Sequence, residues 1–444
     1  MNTPICDFVN RYCESDRVRL HMPGHKGKDF LGFEKFDITE IDAADSLYHA
    51  SGIIKESENN AASLFGTEKT FYSCEGSSLC IRAMLYLTVL YAKENGKKPL
   101  ILAGRNAHKT FITAAALLNI CVGWLTPEES ESYLSCSLGT KELETRIQAE
   151  KPCAVYLTSP DYLGGMCDVA EVSAVCRKYG VLLLVDNAHG AYLRFLERSL
   201  HPIDLGADIC CDSAHKTLPV LTGGAYLHIA KSAPKLFTRE AKNALALFGS
   251  TSPSYLILQS LDNANRYLSD GYREKLDTFI KTVAEIKARL SENLTLAGSE
   301  PLKITFLPKS YGYTGDEFAK ELQKQGLICE FSDPDFTVLM LTPENGEGEA
   351  RKIIEAVSKI KRKAAIDVLP PKADKCEEVL SPMAALTAKK ETVAVKDSVG
   401  RISADISVSC PPAVPIVISG ERINESTKKA LEYYAVRQIE VVAE

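Results

Sequence analysis

Short apolar runs alternate with helical stretches between about residues 60 and 265, and this alternation limits the possible folds more than any other feature. Apolar strands separated by helices are typical of a mainly parallel sheet that is covered by helices on both faces. In such sheets, ligand sites gather at the carboxyl ends of the strands. The sequence therefore predicts an α/β fold with its site along that edge, formed by strand-like runs at residues 99–103, 154–158, 181–186, 208–211 and 224–228.

The pattern changes twice after this region. Residues 267–294 are charged, with apolar residues at a helical period, and they lead to strand-like runs at 304–307 and 337–341 with a helix at 315–325 between them. The run Val368-Leu369-Pro370-Pro371 then interrupts the pattern and begins a tail with many prolines. We predict four segments: an N-terminal segment at 1–60, a large domain at 61–265, a small α/β domain at 266–367 and a C-terminal domain at 368–444.

Composition excludes several classes of function. The 444 residues carry a formal net charge of -6, which argues against a general binder of nucleic acid or anionic membranes. The 14 cysteines are scattered without a Cys-x-x-Cys pair, and no signal-like start precedes them, so we expect reduced thiols in a cytoplasmic protein. No apolar run is long enough to span a membrane, and no group of residues has a usual metal-ligand spacing.

Two ionisable residues follow successive predicted strands. Asp186 ends the run at 181–186, and Lys216 follows the run at 208–211 within Ser213-Ala214-His215-Lys216-Thr217-Leu218-Pro219. Five apolar residues precede Asp186, so its carboxylate would be costly to bury without a partner. A protonated pyridine nitrogen would supply that partner, and Lys216 would hold an aldehyde as a Schiff base, as in many pyridoxal phosphate enzymes. The alternative is that Lys216 is an ordinary solvated lysine.

Other candidate residues lie on predicted loops. Gly76, Ser77 and Ser78 enter a predicted helix, where a turn and free N–H groups favour phosphate, although an ordinary helix cap is the alternative. His108 has a ring that could stack on a planar cofactor. His215 directly precedes the lysine and is placed to contact the phosphate or the reacting carbon. For each histidine, including His189, a structural role is the alternative.

Together, these residues resemble the Orn/Lys/Arg decarboxylases of pyridoxal phosphate fold type I, especially the short bacterial arginine decarboxylase branch. The run His21-Met22-Pro23-Gly24-His25-Lys26-Gly27 is similar to the family's amino-terminal signature, and residues 213–219 are similar to its Schiff-base motif. The resemblance implies a mainly parallel seven-stranded sheet covered by helices, a small α/β domain and a C-terminal α+β domain. It implies pyridoxal 5'-phosphate bound by Gly76, Ser77, Ser78, His108, Asp186, Ala188, His189, Ser213, His215 and Lys216.

The resemblance also implies an assembly. Ser250-Thr251-Ser252-Pro253 is similar to the family's segment that reaches into the neighbouring subunit, where Ser250 and Thr251 would help to hold the partner's phosphate. The resemblance therefore implies a homodimer with shared active sites, and a higher oligomer is the alternative.

The activity that the resemblance implies is decarboxylation of a basic amino acid. Arginine, giving agmatine for polyamine synthesis, is the first choice, and lysine or ornithine comes next. Lys216, His215 and Asp186 would be catalytic: Asp186 would keep the pyridine nitrogen protonated, and His215 or Lys216 would return a proton to the carbon. Glu421 is a candidate for binding the substrate's side-chain cation, with a surface carboxylate as the alternative.

Several positions depart from the family's usual residues. Asn187 stands where an acidic residue is usual, Leu79-Cys80 where small residues are usual, and Met383 and Ala413 lie at two further departures in the tail. Two alternatives therefore stay open: another fold type I enzyme, such as an aminotransferase or lyase, or a catalytically weak regulatory paralogue. Residues 302–341 contain no arginine to bind a substrate α-carboxylate, which argues against an aminotransferase.

Overall fold

A computed structural model of the chain describes residues 1–126, 132–136, 138–372, 374–405 and 412–443. Its largest sheet has seven strands in the order β1-β7-β6-β5-β4-β2-β3. The strands are β1 Lys69–Ser73, β2 Leu100–Gly104, β3 Cys121–Leu125, β4 Ala154–Thr158, β5 Leu182–Asp186, β6 Ile209–Asp212 and β7 Ala225–Ile229. The pairs β2–β3, β4–β5 and β5–β6 are parallel, whereas β7 pairs antiparallel with β6 and β1. The predicted α/β fold with a mainly parallel seven-stranded sheet is confirmed.

Helices separate the strands, as the alternation predicts. In the first two thirds of the chain they are α1 Pro4–Cys13, α2 Ile53–Phe65, α3 Gly76–Glu94, α4 Lys109–Leu117, α5 Thr140–Glu150, α6 Val169–Lys178, α7 Ala214–Thr217, α8 Lys235–Phe248, α9 Tyr255–Ser269 and α10 Tyr272–Ser291. They are followed by α11 Gly315–Lys324, α12 Gly346–Ser358, α13 Pro382–Thr387 and α14 Glu425–Tyr433. The long helix α3 packs on α8 and on strands β6 and β7, because most of its apolar side chains are buried.

The remaining strands form small antiparallel sheets. They are β8 Thr295–Ala297, β9 Lys303–Leu307, β10 Phe331–Ser332, β11 Thr337–Met340, β12 Glu377–Glu378, β13 Lys390–Ala394, β14 Glu421–Arg422 and β15 Gln438–Val442. A four-stranded sheet has the order β10-β11-β9-β8, and the pairs β12–β14 and β13–β15 stand apart from it. In the tail, Cys376, Val395, Val417, Leu431 and Val441 belong to one buried apolar cluster, so this part of the chain has a core of its own.

The chain divides into two compact units. The first contains residues 1–99, 152–159 and 168–277, and the second contains 100–151, 160–167 and 278–444. The four segments that the sequence indicates stay a prediction of domain organisation. In the described part of the chain, the cysteines are free thiols, and no helix has both the length and the apolar character that crossing a membrane requires.

Candidate active site

The predicted site lies in the first unit, at the ends of two adjacent strands. Strands β5 and β6 run parallel, with Asp186 opposite Cys211, and the backbone N–H of Asn187 donates to the Cys211 carbonyl at 2.9 Å. After β6 ends, the short helix α7 carries Lys216. Because both strands end at the same edge of the sheet, Asp186 and Lys216 extend from neighbouring loops.

Lys216 is half-buried and contacts a histidine. Its Nζ lies 2.9 Å from Nε2 of His189, which is 5% exposed. The adjacent His215 donates its Nδ1–H to the Gly224 carbonyl at 2.9 Å. Burial lowers the pKa of His215, and the nearby Lys216 charge acts in the same direction, so a neutral imidazole is favoured. The amine therefore has one histidine in hydrogen-bond contact and another beside it in sequence.

Asp186 is a buried carboxylate with uncharged hydrogen-bond donors. Its Oδ2 accepts from the Tyr156 hydroxyl at 3.2 Å, and its Oδ1 accepts from the Ala188 N–H at 3.2 Å and from Cys211 Sγ at 3.6 Å. Burial raises the pKa of Asp186, and the positive charge of Lys216 only partly opposes this. A cation held against Asp186 would therefore stabilise its ionised form.

The start of α3 has the form of a phosphate site. Gly76 has φ +69°, and no side chain caps the helix. A Cβ built on Gly76 would meet no atom of the surrounding structure within 4 Å, so there is open space at this position. The Ser213 hydroxyl donates to Ser77 Oγ at 2.7 Å, which connects the loop after β6 to the first turn of the helix, where Ser78 follows. An uncapped helix start beside open space favours an anion.

These residues fit pyridoxal phosphate. The cofactor has an aldehyde, a pyridine nitrogen and a phosphate. The first unit offers an amine on Lys216, a carboxylate on Asp186 whose donors among the described residues are uncharged, and the start of α3. Ala188 and His189, both buried, follow Asp186 directly in the loop after β5. The donor set matches the three groups of the cofactor one to one.

Three further predicted residues have contacts of their own. His108, in the second unit, caps α4 by accepting the Thr110 N–H on its Nδ1 at 3.1 Å. Ser250 and Thr251, in the first unit, are exposed, and the Ser250 N–H donates to Glu75 Oε1 at 2.6 Å. Their roles in binding cofactor stay predictions from the sequence.

Glu421 is buried in the second unit and has a charged partner. It is 5% exposed, so the alternative of a surface carboxylate is wrong. Its Oε2 accepts from Arg105 Nη2 at 3.1 Å and from the Ile418 N–H at 2.7 Å. Arg105 also donates to the carbonyls of Pro415 and Ile416. Both charged residues line a cavity of about 330 Å³ in this unit.

Sequence reasoning missed two partners in these sites. Tyr156, which donates to Asp186, lies in the middle of a predicted strand, and its hydroxyl was the available signal. Arg105 lies in the same loop as His108, but its ion pair with Glu421 joins residues 316 positions apart. Pairing over that distance leaves no local pattern.

Comparison with known proteins gives the family. A model of the Orn/Lys/Arg decarboxylase major domain matches residues 3–311, and a model of the C-terminal domain of the same family matches residues 363–440. The two matches together cover most of the chain.

Individual relatives extend over nearly the whole length. An arginine decarboxylase of Bacillus subtilis (strain 168) is 29% identical over 460 residues, covering 95% of this chain and 91% of that protein. An arginine decarboxylase of Halalkalibacterium halodurans is 27% identical, covering 96% and 91%. The structure of lysine decarboxylase A from Pseudomonas aeruginosa has a TM-score of 0.81 at 18% identity, covering 99% of this chain and 80% of that chain. This likeness confirms the predicted fold type I architecture.

Proposed function

Because this chain belongs to the Orn/Lys/Arg decarboxylase family, we propose that it converts arginine to agmatine and CO2 and so feeds polyamine synthesis. Membership makes it a pyridoxal phosphate-dependent decarboxylase of a basic amino acid. The two full-length relatives described above are arginine decarboxylases, which supports arginine before lysine or ornithine.

The observation that carries this proposal is that Asp186 ends β5 and that Lys216 follows the end of the adjacent strand β6. When bound, pyridoxal phosphate supplies an aldehyde and an electron sink for the bond to the departing carboxylate. Lys216 would hold the cofactor through its aldehyde, and His189, 2.9 Å from the Lys216 amine, would orient that amine. Asp186 would hold a proton at the pyridine nitrogen, because a cation placed against this buried carboxylate stabilises its ionised form.

Proton return completes the reaction. Lys216 or His215 would give a proton to the carbon that has lost CO2. For His215 to do this, its Nε2 must first take a proton, because burial lowers its pKa and its one N–H, on Nδ1, donates to the Gly224 carbonyl. The start of α3, with Ser77 and Ser78, holds the phosphate.

We also propose a homodimer. Ser250 and Thr251 are exposed on the first unit, as a segment that serves a partner's site would be. Large apolar side chains of the N-terminal region are exposed as well, namely Val18, Leu20, Met22, Phe30 and Leu31. Exposed apolar residues in such number favour an interface. Sedimentation of wild type and of Leu20→Asp tests this: we expect a dimer that the substitution weakens, and a wild-type monomer would contradict it.

The deciding experiment measures CO2 release from arginine, lysine and ornithine by purified protein loaded with pyridoxal phosphate. We expect release to be fastest with arginine, together with a visible absorption band that disappears in Lys216→Ala. If the band is present without CO2 release from any of the three, the proposal is wrong. A Lys216→Ala protein that keeps the wild-type band contradicts attachment through Lys216.

A further inference from the structure

Asn187 and Asp212 are joined by a short hydrogen bond behind the candidate site. Asn187 Nδ2 donates to Asp212 Oδ1 at 2.7 Å, and both side chains are fully buried. Asn187 directly follows Asp186, and Asp212 lies four positions before Lys216. The backbone ladder between β5 and β6 ends with the Asn187 N–H on the Cys211 carbonyl. The side-chain bond therefore adds a cross-link at the point where the two strands stop.

Asp212 is held from its other side by two histidines. Its Oδ2 accepts from His201 Nε2 at 3.1 Å and from His228 Nε2 at 3.2 Å. Burial alone would raise the pKa of Asp212, but the two histidines hold it well below its usual range. The Thr70 hydroxyl lies 2.8 Å from Nδ1 of His228 and fixes that ring. Asp212 is thus an ionised carboxylate with N–H donors on both oxygens.

The same surroundings offer one arrangement with metal-like spacing. His201, Cys210 and Asp212 are buried and have their ligand atoms close together. In this group, His201 Nε2 already lies at hydrogen-bond distance from Asp212 Oδ2. The hydrogen-bond network accounts for Asp212 without an ion.

Asn187 has little freedom to move. The Gly190 N–H donates to the Asn187 carbonyl at 2.8 Å, and a Cβ built on Gly190 would lie 2.0 Å from Asn187 Oδ1. Only glycine at position 190 leaves room for the amide. An acidic residue at 187 would set a second carboxylate against Asp212, and like charges at that distance repel. The amide at position 187 avoids this repulsion.

We propose that Asn187 and Asp212 act as a positioning pair, which fixes the ends of β5 and β6 and thereby the separation of Asp186 from Lys216. The inference rests on the proposed function, since it concerns the two residues that carry the decarboxylation. In this role, neither member of the pair contacts substrate or cofactor. A misplacement of about 1 Å in a reacting group can slow a reaction about 100-fold, so a cross-link at this point affects the rate.

The test uses three variants: Asn187→Asp, Asp212→Asn and the exchange Asn187→Asp/Asp212→Asn. Asn187→Asp places two carboxylates together, and Asp212→Asn takes the charge from the two histidines. The exchange restores an amide–carboxylate hydrogen bond with its direction reversed. For the holoenzyme, we expect kcat for the best of the three amino acids to fall about 100-fold in Asn187→Asp with little change in KM. The exchange should recover at least about a tenth of the wild-type rate.

Two further readouts separate positioning from general loss of structure. Hydrogen exchange of the backbone amides at 186–190 in cofactor-free protein should speed up in Asn187→Asp and return toward wild type in the exchange. The pH at which the Lys216-dependent absorption band titrates should shift in the single variants and recover in the same way. Hydrogen exchange and the titration of the band can both be measured even if the preferred amino acid is not arginine. Failure of the proposed substrate can therefore be distinguished from failure of the positioning pair.

Gly190→Ala provides a second route if a charge variant does not fold. It keeps both polar groups and displaces the amide, so we expect the same changes in kcat and in the titration of the band. Thr70→Val is the matched control, because it removes a contact of His228 and leaves the Asn187–Asp212 bond in place. The proposal is overturned if the single variants keep wild-type kcat and titration, or if the exchange recovers stability without recovering either.

Discussion

Asp186 and Glu421 are both buried carboxylates, 2% and 5% exposed, but their partners differ. In the first unit, Asp186 accepts hydrogen bonds from a hydroxyl, a backbone N–H and a thiol. In the second unit, Glu421 forms an ion pair with Arg105 and also accepts a backbone N–H. A carboxylate that forms an ion pair with a cation of the same chain contributes first to the stability of the fold. One that is left with uncharged donors is suited to a cation that comes from outside the chain.

The largest effect should come from neutralising the first carboxylate. In Asp186→Asn, we expect CO2 release to fall roughly a hundred- to a thousandfold, because an amide cannot stabilise a positive charge on the cofactor ring. The melting temperature of cofactor-free protein should not fall, because a charge that is costly to bury has been removed. Steady-state assays measure the rate of CO2 release, and thermal melts measure the melting temperature. Full activity in Asp186→Asn would remove the contrast with Glu421.

Removing the cation of the second pair should act on stability. In Arg105→Met, we expect the free energy of unfolding to drop by about 3 kcal/mol, since Glu421 is left buried without its charged partner. Denaturant titration of cofactor-free protein measures this. Arg105→Met/Glu421→Gln serves as the control and should recover part of the loss, because the unpaired charge is gone. If Arg105→Met unfolds at the wild-type denaturant concentration, Glu421 does not depend on Arg105.

Glu421→Gln tests whether this carboxylate also contacts substrate, as the sequence predicts. Citrulline has the shape of arginine but no side-chain charge, so the preference for arginine over citrulline isolates recognition of the cation. If Glu421 binds it, the preference should fall about tenfold, the equivalent of one charge-assisted hydrogen bond. Glu378→Gln, which changes another carboxylate of the same cavity, is the matched control. An unchanged preference in Glu421→Gln would restrict Glu421 to a structural role.

The smallest effect concerns pH. Burial raises the pKa of Asp186 in the folded protein above its unfolded value of about 3.9. The folded state therefore binds this proton more tightly, and Asp186 reduces stability as pH rises from the unfolded pKa through the folded pKa. Cofactor-free wild type should lose stability relative to Asp186→Asn over that interval, and bound pyridoxal phosphate should reduce the difference. Unfolding at a series of pH values measures it; a constant difference would contradict the raised pKa.

Much of the fold could be predicted because its strongest signals are local. Each of the five apolar runs that we identified begins and ends within one residue of the bounds of an observed strand of the large sheet. No apolar run was identified for strand β1 or for strand β3. Strand β1 has polar residues at both ends, and β3 contains Gly123, where a Cβ would lie 2.6 Å from Leu102 on the adjacent strand. Glycine weakens the strand pattern at the position where close packing requires it.

The features of the candidate site also divide into those with a local sequence signal and those that depend on tertiary packing. Asp186, Lys216 and Gly76 have local signals, since Asp186 ends a strand, Lys216 follows one and Gly76 begins a helix. The contacts of Asp212 with His201 and His228 depend on how strands and loops pack, and no spacing in the sequence shows them. Local patterns locate the reactive groups, whereas tertiary packing decides which of them have charged partners.

The antiparallel pairing of β1 with β7 has a consequence for synthesis of the chain. Lys69 pairs with Ile229, so β1 leaves the ribosome about 160 residues before its partner strand. Contacts that span so much sequence form slowly, because a long loop must close first. Until then, β1 has an unpaired strand edge that can pair with other chains. A nascent chain that ends before residue 225 therefore has no partner for β1, and we expect such fragments to aggregate or to require a chaperone.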